Sequence, residues 1–356
     1  MPSSPRADER DAVVPEPLWG GARLHVVTGK GGTGKTTVAA ALALSLAEDG
    51  RRTLLCEVED RQGIAQLFDV APLPYQERRI AMAAGGGEVY ALAVEPKAAL
   101  LEYLDLFYHL GRAGKVLEKL GAIDFATTIA PGLRDVLLTG KVYEAARRRE
   151  GGRPLYDAVV LDAPPTGRIG RFLNVNDEVA ELAKVGPIRN QADSIMTLLR
   201  SSLTVVHLVT VLEEMPVQET QDAAAELGRA GLTVGAVVVN MVRPPELGPK
   251  QLVTAAKGTL REREIVAGLE AVGLAGRGGT AASRAARLSR LATALAAQGR
   301  DHALRVQLEA GQLELVQALG RPVCQLPALA GGVDLGGLYA LADTLTAQGM
   351  SGRGPA

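Results

Sequence analysis

Gly29-Lys30-Gly31-Gly32-Thr33-Gly34-Lys35-Thr36-Thr37 decides how this chain folds, because of what stands on either side of it. Ahead of it Leu24 to Thr28 is an apolar run of strand character, and behind it the Ala- and Leu-rich stretch from Lys35 to about Glu48 has helix-forming composition. Strand, glycine-rich loop and helix in immediate succession set a helix N-terminus, with its unpaired N–H groups and partial positive charge, directly against the loop. Glycine lets the backbone turn its N–H groups toward a bound anion with no side chain in the way.

The loop satisfies GxxxxGK[ST] through Gly29, Gly34, Lys35 and Thr36, the P-loop pattern, in the strand–helix context that the motif requires. Gly29, Lys30, Gly31, Gly32, Thr33, Gly34, Lys35, Thr36 and Thr37 are therefore expected to surround the phosphates of ATP. The Lys35 ammonium would meet the β- and γ-phosphates and the Thr36 hydroxyl a Mg2+ ion. Lys30 is a second cation that an ordinary P-loop does not need. It is either a further partner for phosphate or a solvated lysine on an exposed loop.

Outward from the loop, apolar runs bounded by turn residues predict strands at Thr53–Val58, Val89–Val94, Ala158–Asp162, Leu203–Thr210 and Val234–Asn240, with another at Val323–Leu326. They are nearly all apolar rather than alternating, as in strands covered on both faces. Helical stretches separate them, so the expected fold is α/β: a mainly parallel sheet of about seven or eight strands, helices on both faces, and right-handed crossovers. The expected organisation is a disordered tail over residues 1–19 and a single domain over 20–348. Helical elaborations are expected near 97–149, 174–201 and 249–319, and a flexible tail over 349–356. Ala84-Gly85-Gly86-Gly87 and Ala275 to Thr280 read as flexible loops.

Hydrophobic residues make up 47% of the chain and aromatics 3%, so the core must be filled mainly by Ala, Leu and Val. Lys and Arg number 39 against 40 Asp and Glu, which leaves no global field to attract nucleic acid, and none is expected as a partner. Met1 to Pro17 lacks an apolar signal region and no run approaches the ~18 apolar residues of a membrane span. A cytoplasmic protein is expected, peripheral at a membrane only through a partner. Cys56 and Cys324 cannot build a four-cysteine site, so neither zinc nor an iron–sulfur cluster is expected.

With Lys30 included the loop reads GKGGTGKTT, which resembles the deviant-P-loop ATPases: the arsenite-pump ATPases, the guided-entry ATPases that target tail-anchored proteins, chromosome-partition and division-site ATPases, and nitrogenase iron protein. That resemblance implies that Lys30 crosses a dimer interface to the partner's phosphates. Asp162-Ala163-Pro164-Pro165-Thr166-Gly167-Arg168, followed by Arg171-Phe172-Leu173, is similar to the second switch of the arsenite-pump and guided-entry branch, with Arg168 in place of His. An acid ending an apolar strand beside the loop is placed to hold Mg2+ through water, a role given to Asp162.

After the second strand comes Glu57-Val58-Glu59-Asp60-Arg61-Gln62-Gly63, where the resemblance sets Glu59 at the family's catalytic aspartate. A carboxylate there would orient or deprotonate the water that attacks the γ-phosphorus. Glu57 and Asp60 compete for that role, and the extra methylene of Glu59 makes a slow or partner-dependent ATPase the expectation. Catalytic candidates are thus Glu59, Lys35 and Lys30. Asn240, ending Val237-Val238-Val239, stands at the family's adenine-contacting position; a buried Asn capping a strand end is the other reading. Cys324-Gln325-Leu326-Pro327 resembles the loop lining the adenine pocket, which adds Pro327 to the nucleotide contacts.

The departures matter as much. Met241 to Lys250 contains no cysteine, so the interface zinc of eukaryotic guided-entry ATPases is absent, and the metalloid-binding cysteine trio of arsenite pumps cannot be assembled. Asp177 to Ser201 supplies only Met196 toward a Met-rich client groove. The helix around Leu100 to His109 either lines a client site or packs on the sheet, and Arg147-Arg148-Arg149 reads as a solvated helix end. The overall pattern looks like the actinobacterial subfamily of arsenite-pump-like ATPases, whose paralogues imply a homodimer or a heterodimer. The expected function is a Mg2+-dependent ATPase whose nucleotide cycle switches a dimer. The alternative is a nucleotide-gated chaperone or adaptor for a membrane-protein or lipid-related client.

Overall fold

The apolar runs pair side by side and are covered above and below, as their lack of alternation requires. The computed structural model describes residues 18–19, 21–59, 62–108, 131–182, 187–274 and 280–352. In chain order the elements are β1 (Leu24–Gly29), α1 (Lys35–Leu46), β2 (Arg52–Glu57), α2 (Gly63–Leu67), β3 (Arg78–Met82), β4 (Glu88–Ala93), α3 (Pro96–Tyr108), α4 (Pro131–Arg147), β5 (Arg149–Glu150), β6 (Arg153–Pro154), β7 (Ala158–Asp162), α5 (Thr166–Leu182), α6 (Pro187–Leu199), β8 (Thr204–Thr210), α7 (Glu214–Arg229), β9 (Val234–Val242), α8 (Pro249–Ala256), α9 (Glu262–Ala271), α10 (Ala281–Gln317), β10 (Val323–Pro327) and α11 (Leu335–Ala347).

Eight strands form the central sheet in the order β10-β9-β8-β1-β7-β2-β4-β3, every neighbouring pair parallel except β3 with β4. Leu24, Val26, Leu54, Cys56, Val159, Leu161, Val206 and Leu208 point to one face, against Phe172 and Leu173 of α5, Ile195 of α6 and Leu227 of α7. Val27, Leu55, Val160, Val209 and Val238 point to the other, against α1 and Leu338, Leu341 and Leu345 of α11. Helix α1 is buried nearly all round, which is why its composition is almost uniformly Ala and Leu, without a polar stripe. Among the described residues no helix is long and apolar enough to cross a membrane.

Several sequence expectations need correction. Arg78–Met82 is a strand that periodicity missed: it lies antiparallel at the sheet edge, largely exposed, and edge strands carry charge that blunts further pairing. Ala84 to Gly87 is not a flexible loop but the tight turn of the β3–β4 hairpin. The Ala83 N–H donates to the Gly87 carbonyl at 2.8 Å and the Gly86 N–H to the Ala83 carbonyl at 3.0 Å. A Cβ on Gly87 would collide with the Ala47 carbonyl oxygen at the end of α1, so glycine is needed there for close approach. The packed chain also runs past residue 348: Met350, Ser351 and Gly352 are buried, and the Ser45 hydroxyl donates to the Met350 carbonyl. At the other end Trp19 packs on the α1 side of the sheet and the Leu18 N–H bonds the Gly349 carbonyl, so packing begins inside the expected tail. Arg148 is no solvated helix end, since it bonds Glu144 and Glu77. His109, Asp60 and residues 275–279 lie outside the described residues.

His25 and His207, on adjacent strands, are buried with their rings nearly parallel, and Trp19 is edge-on to His207. The Ala236 N–H donates to His207 Nδ1 at 3.2 Å, which leaves the proton on Nε2, 3.1 Å from His25 Nδ1. Burial holds the pKa of His25 down at about 4 and that of His207 well below its usual value, where the His25 charge adds repulsion. Because both folded pKa values lie below that of the unfolded chain, the unfolded state binds more protons as pH falls beneath about 6.5. Stability is therefore expected to be full above that pH and to drop toward pH 4, by about 2 kcal/mol at pH 5 for His25 alone. Urea midpoints at pH 7.5 and 5.0 check this; equal midpoints would refute it.

Candidate active site

Strands β1, β7 and β2 are neighbours, and their registers place Val27 opposite Asp162 and Asp162 opposite Glu57. The three strands thus end together, and the carboxyl edge of a parallel sheet is where such folds bind ligands. The loop rises from Gly29 and falls into α1 at Lys35, which is buried. Gly34 takes the left-handed conformation, φ 84°, and a Cβ there would strike the Asn240 amide. Thr33 closes the crest of the loop: its N–H and its hydroxyl both donate to the Lys30 carbonyl, at 3.3 and 2.8 Å.

Asn240, buried at the end of β9, donates through Nδ2 to the Thr33 carbonyl at 2.9 Å and so ties the loop down from two strands away. The turn that aims it is marked by Met241, at φ 59° a rare left-handed non-glycine residue. Pro327 ends β10 at the same sheet edge, one strand farther out, in register with Val242 and apart from the Asn240–Thr33 contact.

The other side of the loop is acidic. The Thr36 hydroxyl donates to Asp162 Oδ2 at 2.7 Å, and Asp162 is buried. Glu57, also buried, accepts the Gly63 N–H at 2.8 Å through Oε1. A Cβ on Gly63 would lie 3.2 Å from Thr36 Cγ2 and 3.5 Å from Glu57 Oε1, which puts Glu57 beside the Thr36 side chain. Gln62 fixes that turn by clamping the Leu73 backbone in both directions, Leu73 N–H to Oε1 at 2.7 Å and Nε2 to the Leu73 carbonyl at 3.2 Å. The Thr28 hydroxyl holds the next loop through the Pro164 carbonyl at 2.7 Å. A hydroxyl and two carboxylates at the foot of a P-loop are hard oxygen donors of the kind Mg2+ takes, with the remaining positions for water and phosphate.

Glu59 faces a cavity of about 260 Å³ between the loop after β2 and α4, shared with Arg134, Asp135 and Arg168. Arg168 Nη1 stands 3.8 Å from Glu59 Oε1. Burial raises the Asp135 pKa, and the nearby arginines oppose that shift. Lys30 turns back within its own chain: its Nζ donates to Glu219 Oε1 of α7 at 2.7 Å, while Glu219 Oε2 accepts the Thr166 hydroxyl at 3.1 Å. The Lys30 ammonium is the main reason the Glu219 pKa is lowered.

Residues 22–205 match the sequence model of a family described as anion-transporting ATPase. The chain belongs to the anion-transporting ATPase family. It is 51% identical over 331 residues to ATPase BagA of Mycobacterium tuberculosis, covering 93% of this chain and 94% of that one. It is 27% identical over 268 residues to the arsenical pump-driving ATPase of Acidiphilium multivorum, covering 68% of this chain and 43% of that protein. In this anion-transporting ATPase family member the matched region carries the P-loop, Glu57, Glu59 and Asp162, and stops before Glu219 and Asn240. Glu219, Gln62 and Thr28 hold the segments around the candidate site, and sequence reading did not reach them in that role. A Glu on an amphipathic helix 189 positions from Lys30 gives no local signal of its partner.

Proposed function

We propose that the chain is a Mg2+-dependent ATPase, a reading carried by the 2.7 Å Thr36–Asp162 contact at the foot of the loop from Gly29 to Thr37. The backbone N–H groups of the loop and Lys35 would hold the phosphates of ATP, with Asn240 and Pro327 on the adenine side. Mg2+, when bound, would neutralise developing phosphate charge. Thr36 and Asp162 would hold it, Asp162 through water, with Glu57 beside them. Glu59 would orient the water whose oxygen attacks the γ-phosphorus as the bond to the bridging oxygen breaks, giving ADP and inorganic phosphate. Support comes from the family, from the convergence of these groups on one sheet edge, and from the oxygen-donor chemistry of the Thr36–Asp162–Glu57 cluster. The expected result is Mg2+-dependent ATP binding and phosphate release that EDTA abolishes. The absence of both, for the chain alone and for the chain mixed with a paralogue, would refute the proposal.

The same reading makes Lys30 the residue that reaches a second subunit's phosphates, in a homodimer or heterodimer switched by nucleotide. It must first leave Glu219, a partly exposed pair worth about 1 kcal/mol at most. Glu219→Gln is therefore expected to strengthen ATP-dependent association by up to about fivefold. Sedimentation with a non-hydrolysable ATP analogue measures it, and weakened association would count against the cis pairing of Lys30 as a competitor. A second output, nucleotide-gated binding of a membrane-protein or lipid-related client, is favoured by α10. Along its 37 residues Leu291, Leu295, Leu304, Leu308 and Leu315 are left exposed, more apolar surface than an isolated folding unit requires.

A further inference from the structure

At the edge of the sheet opposite the P-loop, where the strands begin, α4 and α6 border a cleft of about 490 Å³. That lies within the ~300–1,000 Å³ typical of small-molecule sites. Three arginines line it: Arg23 immediately before β1, Arg147 in the last turn of α4, and Arg149 in β5. Tyr143, Leu198 and Leu203 supply apolar wall. Strand β1 separates this cleft from the P-loop by its full length of six residues, roughly 20 Å.

Each guanidinium is steadied by a neutral group and none by a carboxylate among the described residues lining the cleft. Arg23 Nη2 donates to the Tyr156 carbonyl at 3.2 Å, while its buried Nε has no hydrogen-bond partner among the described residues. Arg147 lies over the Tyr143 ring, 5.2 Å from its centroid, and also donates to the Tyr143 hydroxyl. Arg149 Nη1 donates to the Gly152 carbonyl at 2.9 Å. Asp157, the acid that Arg23 feels, already accepts the Arg52 backbone N–H at 2.9 Å. Burial, and after it the charge of Arg149, lower the Arg23 pKa, with Asp157 opposing the shift. A bound anion would relieve the repulsion between Arg23 and Arg149.

We propose that this cleft binds a phosphate monoester bearing a short apolar group. The dianion matches the forked donors of two or three guanidinium groups. The apolar group would lie against Tyr143, Leu198 and Leu203. A soluble organophosphate and a phosphatidic-acid headgroup share this chemistry.

The test uses the full chain saturated with Mg-ADP, titrated with n-hexyl phosphate by calorimetry, together with sedimentation on phosphatidylcholine vesicles with and without phosphatidic acid. Saturable binding of n-hexyl phosphate is expected, weakened at least ~10-fold in Arg147→Ala/Arg149→Ala and in Arg23→Ala, with ADP affinity unchanged. Arg149→Lys should recover only part of the loss, since charge returns without the fork. Arginine-dependent retention on phosphatidic-acid vesicles would mark a lipid source, and hexyl phosphate binding without vesicle retention a soluble one. Failure of both probes to bind, or binding that survives the double substitution, would overturn the site. Arg147 and Arg149 are exposed, so their removal leaves the fold intact, and ADP binding in each variant reports that directly.

Discussion

Lys35→Ala is expected to lower Mg-ATP turnover by about 10²–10³-fold and to weaken nucleotide binding as well. Lys35 opens α1, is buried, and stands between the loop crest held by Asn240 and the hydroxyl of Thr36 paired with Asp162. A cation in that position acts on charge that grows on the γ-phosphate oxygens as the bond breaks, and inside a water-poor site its electrostatic effect is large. The fold should survive, because alanine is a better helix former than lysine and the rest of α1 is packed by Ala and Leu. Phosphate release by the purified variant, with circular dichroism as the control for folding, decides the matter. Turnover within threefold of the parent would remove Lys35 from the site.

The second large effect separates two carboxylates only two residues apart. Glu59→Gln is expected to reduce turnover about 10²–10⁴-fold while ATP still binds, because the amide cannot accept a proton from the attacking water. Glu57→Gln should act differently. Its remaining carbonyl oxygen can still accept the Gly63 N–H, so the turn persists, but one negative charge beside Thr36 and Asp162 is lost. The expected signature is a several-fold rise in the Mg2+ concentration needed for half-maximal turnover, with saturated turnover less affected. If the two phenotypes are exchanged, Glu57 is the base, and the half-buried Glu59, facing Arg168 across 3.8 Å, serves the switch loop instead.

How much of this was legible in advance follows from where each feature keeps its information. The P-loop needs nine successive residues and one flanking strand and helix, all within reach of local pattern, and the chain folds there as read. Asp162 could be singled out because it terminates a continuous apolar run, and the parallel register sets it beside β1. Strand β3 escaped because Arg78 and Arg79 offer no buried face; its existence depends on β4, which supplies the pairing. Residues 349–352 were expected to begin a flexible tail, yet the Met350 carbonyl is held by Ser45 from across the sequence. Glu219 was unreadable for the same reason: its meaning lies in Lys30 and Thr166, which only the folded sheet brings to it. Local motifs announce chemistry, whereas the groups that hold a motif in position are chosen by topology.

The two oxygens of Glu219 belong to different listeners. One holds the tip of the phosphate loop through Lys30 and the other holds the first residue of α5 through Thr166. A carboxylate shared this way would work, on the proposed function, as a toggle with two wires. On the proposed function, a Lys30 that swung toward a phosphate would deprive the carboxylate of the neighbour that fixes its rotamer, and Thr166 would feel the change. A message written at the nucleotide would thus be read at the start of α5 without any strand having to move.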